Sequence, residues 1–177
     1  MKILMVSPNV VVGGAQKIML SLAYHLQALG HQVVIFTTLI NREGLPPEFR
    51  QLDIVCSRYQ ILTPGGVTTR YQNIPIMILA FRLCKMRAEL KRLIKERRID
   101  VVLAHQPPAT WLCSFLEVPV VWNCFEPIAL WKSKRPEYFS LRPTQSNLVR
   151  DILEGIYEWC DWRIVRFGIP HIFVLSK

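Results

Sequence analysis

Short apolar runs alternate along this chain with longer stretches in which apolar residues recur every three or four positions. Residues 3–6 (ILMV) are an unbroken apolar run, as in a strand buried on both faces. Beyond them Ile18, Leu22, Leu26 and Leu29 step by four, four and three, which predicts an amphipathic helix with these side chains on one face. Gly30 stands where a helix C′ glycine belongs. Further strands are predicted at 32–38 (QVVIFTT), 100–105 (DVVLAH), 118–123 (VPVVWN) and 171–175 (HIFVL), with a weaker one at 53–57 (DIVCS). The longest helical pattern covers 75–98, with Leu79, Leu83, Met86, Leu90 and Leu93 as its inward stripe. A second long helix is predicted over 146–167, with Val149, Ile152, Ile156 and Trp159 on one side, Ser146 as N-cap and Gly168 as stop. Residues 109–116 suit a short helix. Proline and glycine mark loops at 41–49 and 63–71, and 124–143 reads as an irregular surface loop with a short helix.

Strands that alternate with helices predict an α/β fold, a Rossmann-like, doubly wound and mainly parallel sheet flanked by helices. Ligands of such sheets bind at the carboxyl ends of the strands. The first strand's end carries Gly13-Gly14, the fourth carries His105 and the fifth carries Asn123 to Glu126, so these are expected to converge on one crevice. Glycines let a backbone approach a ligand, and unpaired N–H groups at a helix N-terminus favour an anion. Gly13-Gly14 therefore reads as a phosphate site or, more plainly, as a tight turn. His105 is able to exchange hydrogen bonds with a ligand near neutral pH, or to bond its own backbone. Glu126 fits a ligand of sugar hydroxyls or a loop-end carboxylate.

The chain's 177 residues suit one domain with a real core, and 51% of them are hydrophobic, which rules out a disordered chain. A formal net charge of +9 favours an anionic partner: a phosphate-bearing small molecule, an anionic membrane or a nucleic acid. The 75–98 helix carries Arg82, Lys85, Arg87, Lys91, Arg92, Lys95, Arg97 and Arg98 against Glu89 and Glu96. This is either a solvated basic side or one that meets anionic lipid, with Arg82, Lys85, Lys91, Arg92 and Lys95 as the membrane-facing candidates. Nucleic-acid binding is disfavoured, because aromatics are not interleaved with these basic groups. Five cysteines without a CxxC pair suggest neither a disulfide framework nor a zinc site, and fit reduced thiols in a cytosolic protein. Pro8 and Asn9 break any signal peptide. Residues 74–83 are too short to span a bilayer, so membrane contact is expected to be peripheral. A dinucleotide-binding domain wants GxGxxG and an acidic residue closing the second strand; here stand VVGGAQ and Thr37-Thr38. No Walker loop, nucleophile elbow or HExxH is present.

Four places resemble one family. KILMVSPNVVVGGAQK (2–17) is similar to its opening strand and GG-A/V-E/Q loop, and ALGHQVVIFTT (28–38) to its second strand. IDVVLAHQPPA (99–109) is similar to its fourth, and VPVVWNCFEP (118–127) with IFVLSK (172–177) to its later strands. The chain resembles the N-terminal, acceptor-side domain of retaining glycosyltransferases of family 4, which have the GT-B fold. The resemblance implies that Gly13 and Gly14 touch the diphosphate of a nucleotide-sugar donor and that His105, as the catalytic residue, lies beside the transferred sugar. Asn123 and Glu126 are the implied acceptor contacts. It further implies a hydroxyl acceptor on a cell-surface or lipid-linked glycan, mannose as one possible sugar, and neither cofactor nor metal. The family's second domain carries a Glu-x7-Glu motif with an Arg and a Lys on the diphosphate. No two glutamates here have that spacing. The donor-binding domain is thus expected outside this chain, as its partner, and this chain alone is expected to be inactive. A stand-alone, non-catalytic α/β binding or regulatory module is the other reading.

Overall fold

Strand β1 (Lys2–Ser7) has both faces covered, as its unbroken apolar run demands. The computed structural model describes residues 1–11, 13–59, 76–106, 109–124, 159, 162–163 and 166–174. Around β1 stand β2 (Gln32–Thr37), β3 (Asp53–Cys56), β4 (Val101–His105), β5 (Val120–Cys124) and β6 (His171–Val174). All pair in parallel, in the order β3-β2-β1-β4-β5-β6. The chain reverses its direction of travel across the sheet between β1 and β4. A doubly wound sheet opens its crevice at that point.

Helices cover the two faces of the sheet. On one, Leu4 and Val6 of β1 meet Met86, Leu90, Leu93 and Ile94 of α2 (Ile76–Arg97) and Ala109 and Leu112 of α3 (Ala109–Cys113). On the other, Ile3 and Met5 meet Met19, Leu20 and Ala23 of α1 (Gly14–Ala28), together with Leu45 and Phe49. Phe49 closes a short 3-10 turn, Pro47–Phe49, within the predicted 41–49 loop.

The α1 face differs from the predicted one. Ile18 and Leu29 are exposed, and Leu22 and Leu26 are only partly buried. The buried positions include Met19 and Ala23, because a small Ala lets the helix axis approach the sheet and a flexible Met fills the remaining space. At the end of α1, Gly30 has φ +85°, its N–H donates to Gln27 O at 2.9 Å, and the His31 N–H donates to Leu26 O at 3.0 Å. Those are the paired bonds of a Schellman closure. The end of α2 repeats this with a non-glycine: Arg98 has φ +52°, and the Ile99 N–H donates to Ile94 O at 3.0 Å.

In the α2 stripe Met86, Leu90 and Leu93 are buried and Leu83 is partly so. The basic side is less uniform than its sequence. Arg87 is half-buried, and its guanidinium donates to Ser114 O at 2.6 Å and Trp111 O at 3.3 Å, binding the carbonyl end of α3. Arg82 is half-buried and makes an interaction of its own. Lys85, Lys91, Arg92 and Lys95 are exposed, with Arg92 paired to Glu96 at 2.6 Å. The α3 helix stops earlier than predicted, where Phe115 adopts φ +54° and its N–H donates to Gly168 O at 3.1 Å. Residues 159, 162–163 and 166–168 are helical, and Trp159 is exposed. Leu79's side chain, Glu126, the predicted loop at 63–71, residues 125–143 of the predicted 124–143 loop, and helix positions 146–158 lie outside the described residues, while Cys124, placed in that loop, instead ends β5. Among the described residues no helix is long and apolar enough to cross a membrane.

Candidate functional site

The segment after β1 is tied to the segment after β2. The Val10 N–H donates to Leu39 O at 2.7 Å, the Asn41 N–H to Val10 O at 3.2 Å, and Thr38 Oγ1 to Pro8 O at 2.7 Å. This short parallel bridge carries the chain outward before it turns back at Gly13 into α1. Gly13 is the N-cap in extended conformation, with no side-chain cap, and no acid stands in the first turn. The opening N–H groups of a 15-residue helix thus face the carboxyl edge of the sheet without a capping side chain. That arrangement offers donors and a partial positive charge to an anion.

Neither glycine sits in the left-handed region, and crowding bears on Gly13 alone. A Cβ on Gly13 would lie 2.6 Å from Gln16 Oε1. A Cβ on Gly14 would meet nothing within 4 Å, so its approach to solvent is open. Gln16 folds back over the loop. Its Nε2 donates to Asn9 Oδ1 at 2.7 Å and to Gln106 Oε1 at 3.3 Å. One carboxamide therefore joins the loop after β1, the first turn of α1 and the turn after β4. Sequence reasoning did not single out this bridge. The available signal was a glutamine three residues after a helix N-cap, a position from which it can reach back over the helix start.

His105 ends β4 and is 2% exposed, beside Ser7, Ala15, Gln16, Met19 and Gln106. Burial lowers its pKa from 6.5 to about 4, so the imidazole is neutral at physiological pH. Gln106, next along, sits at φ +50°, a left-handed conformation uncommon for a non-glycine. Asn123 pairs in register with His105 on β5; its Oδ1 is buried and has no hydrogen-bond partner among the described residues. Gly13, Gly14, His105 and Asn123 thus occupy one sheet edge, around the β1–β4 switch point. A larger open cleft, of about 520 Å³, lies at the opposite edge between Lys2, Gln32, Asp53 and Arg97, away from these groups.

Among solved structures, MurG of Acinetobacter baumannii is 19% identical, with a TM-score of 0.49 over 76% of this chain and 39% of MurG. A glycosyltransferase of Rickettsia africae is 13% identical, with a TM-score of 0.46 over 99% of this chain and 42% of that protein. The spinosyn rhamnosyltransferase SpnG is 23% identical, with a TM-score of 0.45 over 73% of this chain and 37% of its own. The chain therefore spans less than half the length of each. No curated protein matches the chain by sequence. The profile of Glycosyltransferase Family 4 matches residues 12–166, most of the sequence, and the chain belongs to that family.

Proposed function

We propose that this chain is the acceptor-side half of a retaining GT-B enzyme. The full-length protein moves a sugar, with mannose the first to test, from a nucleotide-diphosphate donor to a hydroxyl of a lipid-linked or cell-surface glycan. The observation that carries this reading is the uncapped start of α1 at Gly13 and Gly14, at the same sheet edge as His105. As the glycosidic bond to the diphosphate breaks, negative charge grows on the leaving oxygens, and fixed N–H donors stabilise it without rearranging. A donor-binding domain beyond this chain holds the rest of the nucleotide. Neutral His105 accepts or donates a hydrogen bond at the sugar or acceptor hydroxyl once the longer Gln16–Gln106 contact parts. Asn123 Oδ1 accepts from the acceptor, and Glu126 contacts its hydroxyls. Lys85, Lys91, Arg92 and Lys95 hold the protein peripherally on the cytoplasmic face of an anionic membrane.

The test incubates full-length protein with UDP-, GDP- and TDP-sugars and a lipid-linked acceptor fraction. Transfer to the lipid with the anomeric configuration kept is expected. Nucleotide-sugar binding without transfer in the full-length protein would instead support a non-catalytic binding module.

A further inference from the structure

Trp159, Trp162, Arg163, Arg166 and Phe167 stand at i, i+3, i+4, i+7 and i+8, the positions that share one helix face. An apolar face of that width normally packs inward. Here Trp159 is 57% exposed, Trp162 53% and Phe167 64%, and Phe115, whose ring lies by Gly168, is 58% exposed. The stretch is nevertheless anchored, since Gly168 O accepts the Phe115 N–H at 3.1 Å and Ile169 is buried in the core. The arginines lie on the rings: Arg163 over Trp159 at 4.6 Å, Arg166 over Trp162 at 4.8 Å and over Phe167 at 5.6 Å. Trp162 and Phe167 meet edge to face at 6.5 Å.

We infer that this ledge docks the protein on an anionic phospholipid surface. Indoles with one apolar and one polar side settle at headgroup depth, and guanidinium groups above them meet the phosphates. The surface is apolar and cationic at the same spot, as a lipid headgroup boundary is apolar and anionic. Single-stranded nucleic acid fits less well, because it stacks bases on open ring faces and these faces carry the protein's own guanidinium groups. The inference deepens the proposed lipid-side role and rests on it only for its purpose. Vesicle binding needs neither donor nor acceptor, so its failure leaves the transfer reading standing.

The experiment is flotation of the intact protein with phosphatidylcholine vesicles, with and without phosphatidylglycerol. The parent is expected to float with anionic vesicles and far less with neutral ones. Replacing Arg163 and Arg166 by Gln lowers the anionic partition coefficient roughly thirty-fold, from about 1 kcal/mol per basic group. Trp159→Ser with Trp162→Ser lowers it on both vesicle types, and circular dichroism checks that the fold is kept. Parent-like flotation of both folded variants overturns the inference, as does absence of flotation by the parent. So does a Trp-dependent dimer, or Trp-dependent retention of an oligonucleotide, from a protein that ignores vesicles.

Discussion

At the scale of single residues, Gly14 separates ligand approach from folding. It opens α1, and a methyl group there meets nothing within 4 Å. Gly14→Ala is expected to leave stability unchanged or raise it, by up to about 0.5–1 kcal/mol, since alanine has the lower backbone entropy to lose. At the donor site proposed for the full-length protein, the same methyl would stand in the path of the diphosphate. Binding of nucleoside diphosphate, measured by calorimetry, is expected to weaken roughly tenfold, the loss of about one hydrogen bond. A variant that is both stable and of unchanged affinity would remove Gly14 from the site. His105 makes a prediction in pH. Its folded pKa of about 4 lies below the ordinary 6.5, so folding favours the neutral ring. Above 6.5 the ring is neutral whether the chain is folded or not, and its burial carries no proton penalty. As pH falls from 6.5 towards 4 the unfolded chain takes up a proton that the folded one refuses, and stability drops by roughly 3 kcal/mol in total. His105→Gln cannot take up this proton. Its stability loss between pH 7 and 4.5, read from thermal melts, is expected to be smaller than the parent's. Its turnover in the full-length protein is expected to fall about a hundredfold, as for a lost transition-state hydrogen bond. Equal acid sensitivity would place the acid-labile group elsewhere.

At the scale of elements, the two long helices close by the same backbone device with different residues. Gly30 takes its left-handed conformation freely, whereas Arg98 at φ +52° places its Cβ near the following carbonyl. Arg98→Gly is expected to stabilise the chain by about 1 kcal/mol in urea unfolding. A loss of stability would mean that the exposed Arg98 side chain makes a contact worth more than the relieved strain. The inner strands β1 and β2 were legible in sequence because each is a short apolar run covered on both faces, whereas the edge strands β3 and β6 keep exposed positions such as Asp53 and Ile172. The α2 stripe was legible for the same kind of reason: Met86, Leu90 and Leu93 repeat on one pitch. What a period cannot say is which face turns inward, and Trp159 with its neighbours points outward. Nor does a period reveal contacts between distant residues. Arg87 was read as one of several cations on a side that is either solvated or turned to anionic lipid. Only the approach of α3 gives its guanidinium the Ser114 carbonyl at 2.6 Å. The candidate site divides in the same way. Gly13-Gly14 and His105 were visible because each punctuates the end of an apolar run. The Asn9–Gln16–Gln106 bridge was not, since Gln16 and Gln106 are 90 positions apart and meet only when β1 and β4 pair.

At the scale of the whole molecule, a net charge of +9 is not spread evenly over what solvent sees. Arg87 is turned onto α3, Arg92 is paired with Glu96, and Arg97 stands 3.6 Å from Asp53. The outer side of α2 also carries Lys91, Lys95 and Lys85, whose Nζ lies 5.4 Å from the ring of exposed Phe81, with Ile78 exposed nearer the helix start. Such a surface attracts an anionic bilayer mainly through charge, about 1 kcal/mol for each lysine close to the headgroups. Charge between exposed groups is screened within about 10 Å at 0.1 M salt and about 3 Å at 1 M. The aromatic ledge at 159–167 holds by ring burial as well as by charge, and ring burial is not screened. Salt therefore separates the two contributions. Vesicle flotation of the parent is expected to fall between low and high salt towards a floor set by the aromatic rings. Replacing Lys85, Lys91 and Lys95 together by Gln is expected to lower binding at low salt and flatten that fall, with the floor unchanged. A triple variant whose salt dependence matches the parent's would leave α2's outer side as an ordinary solvated face.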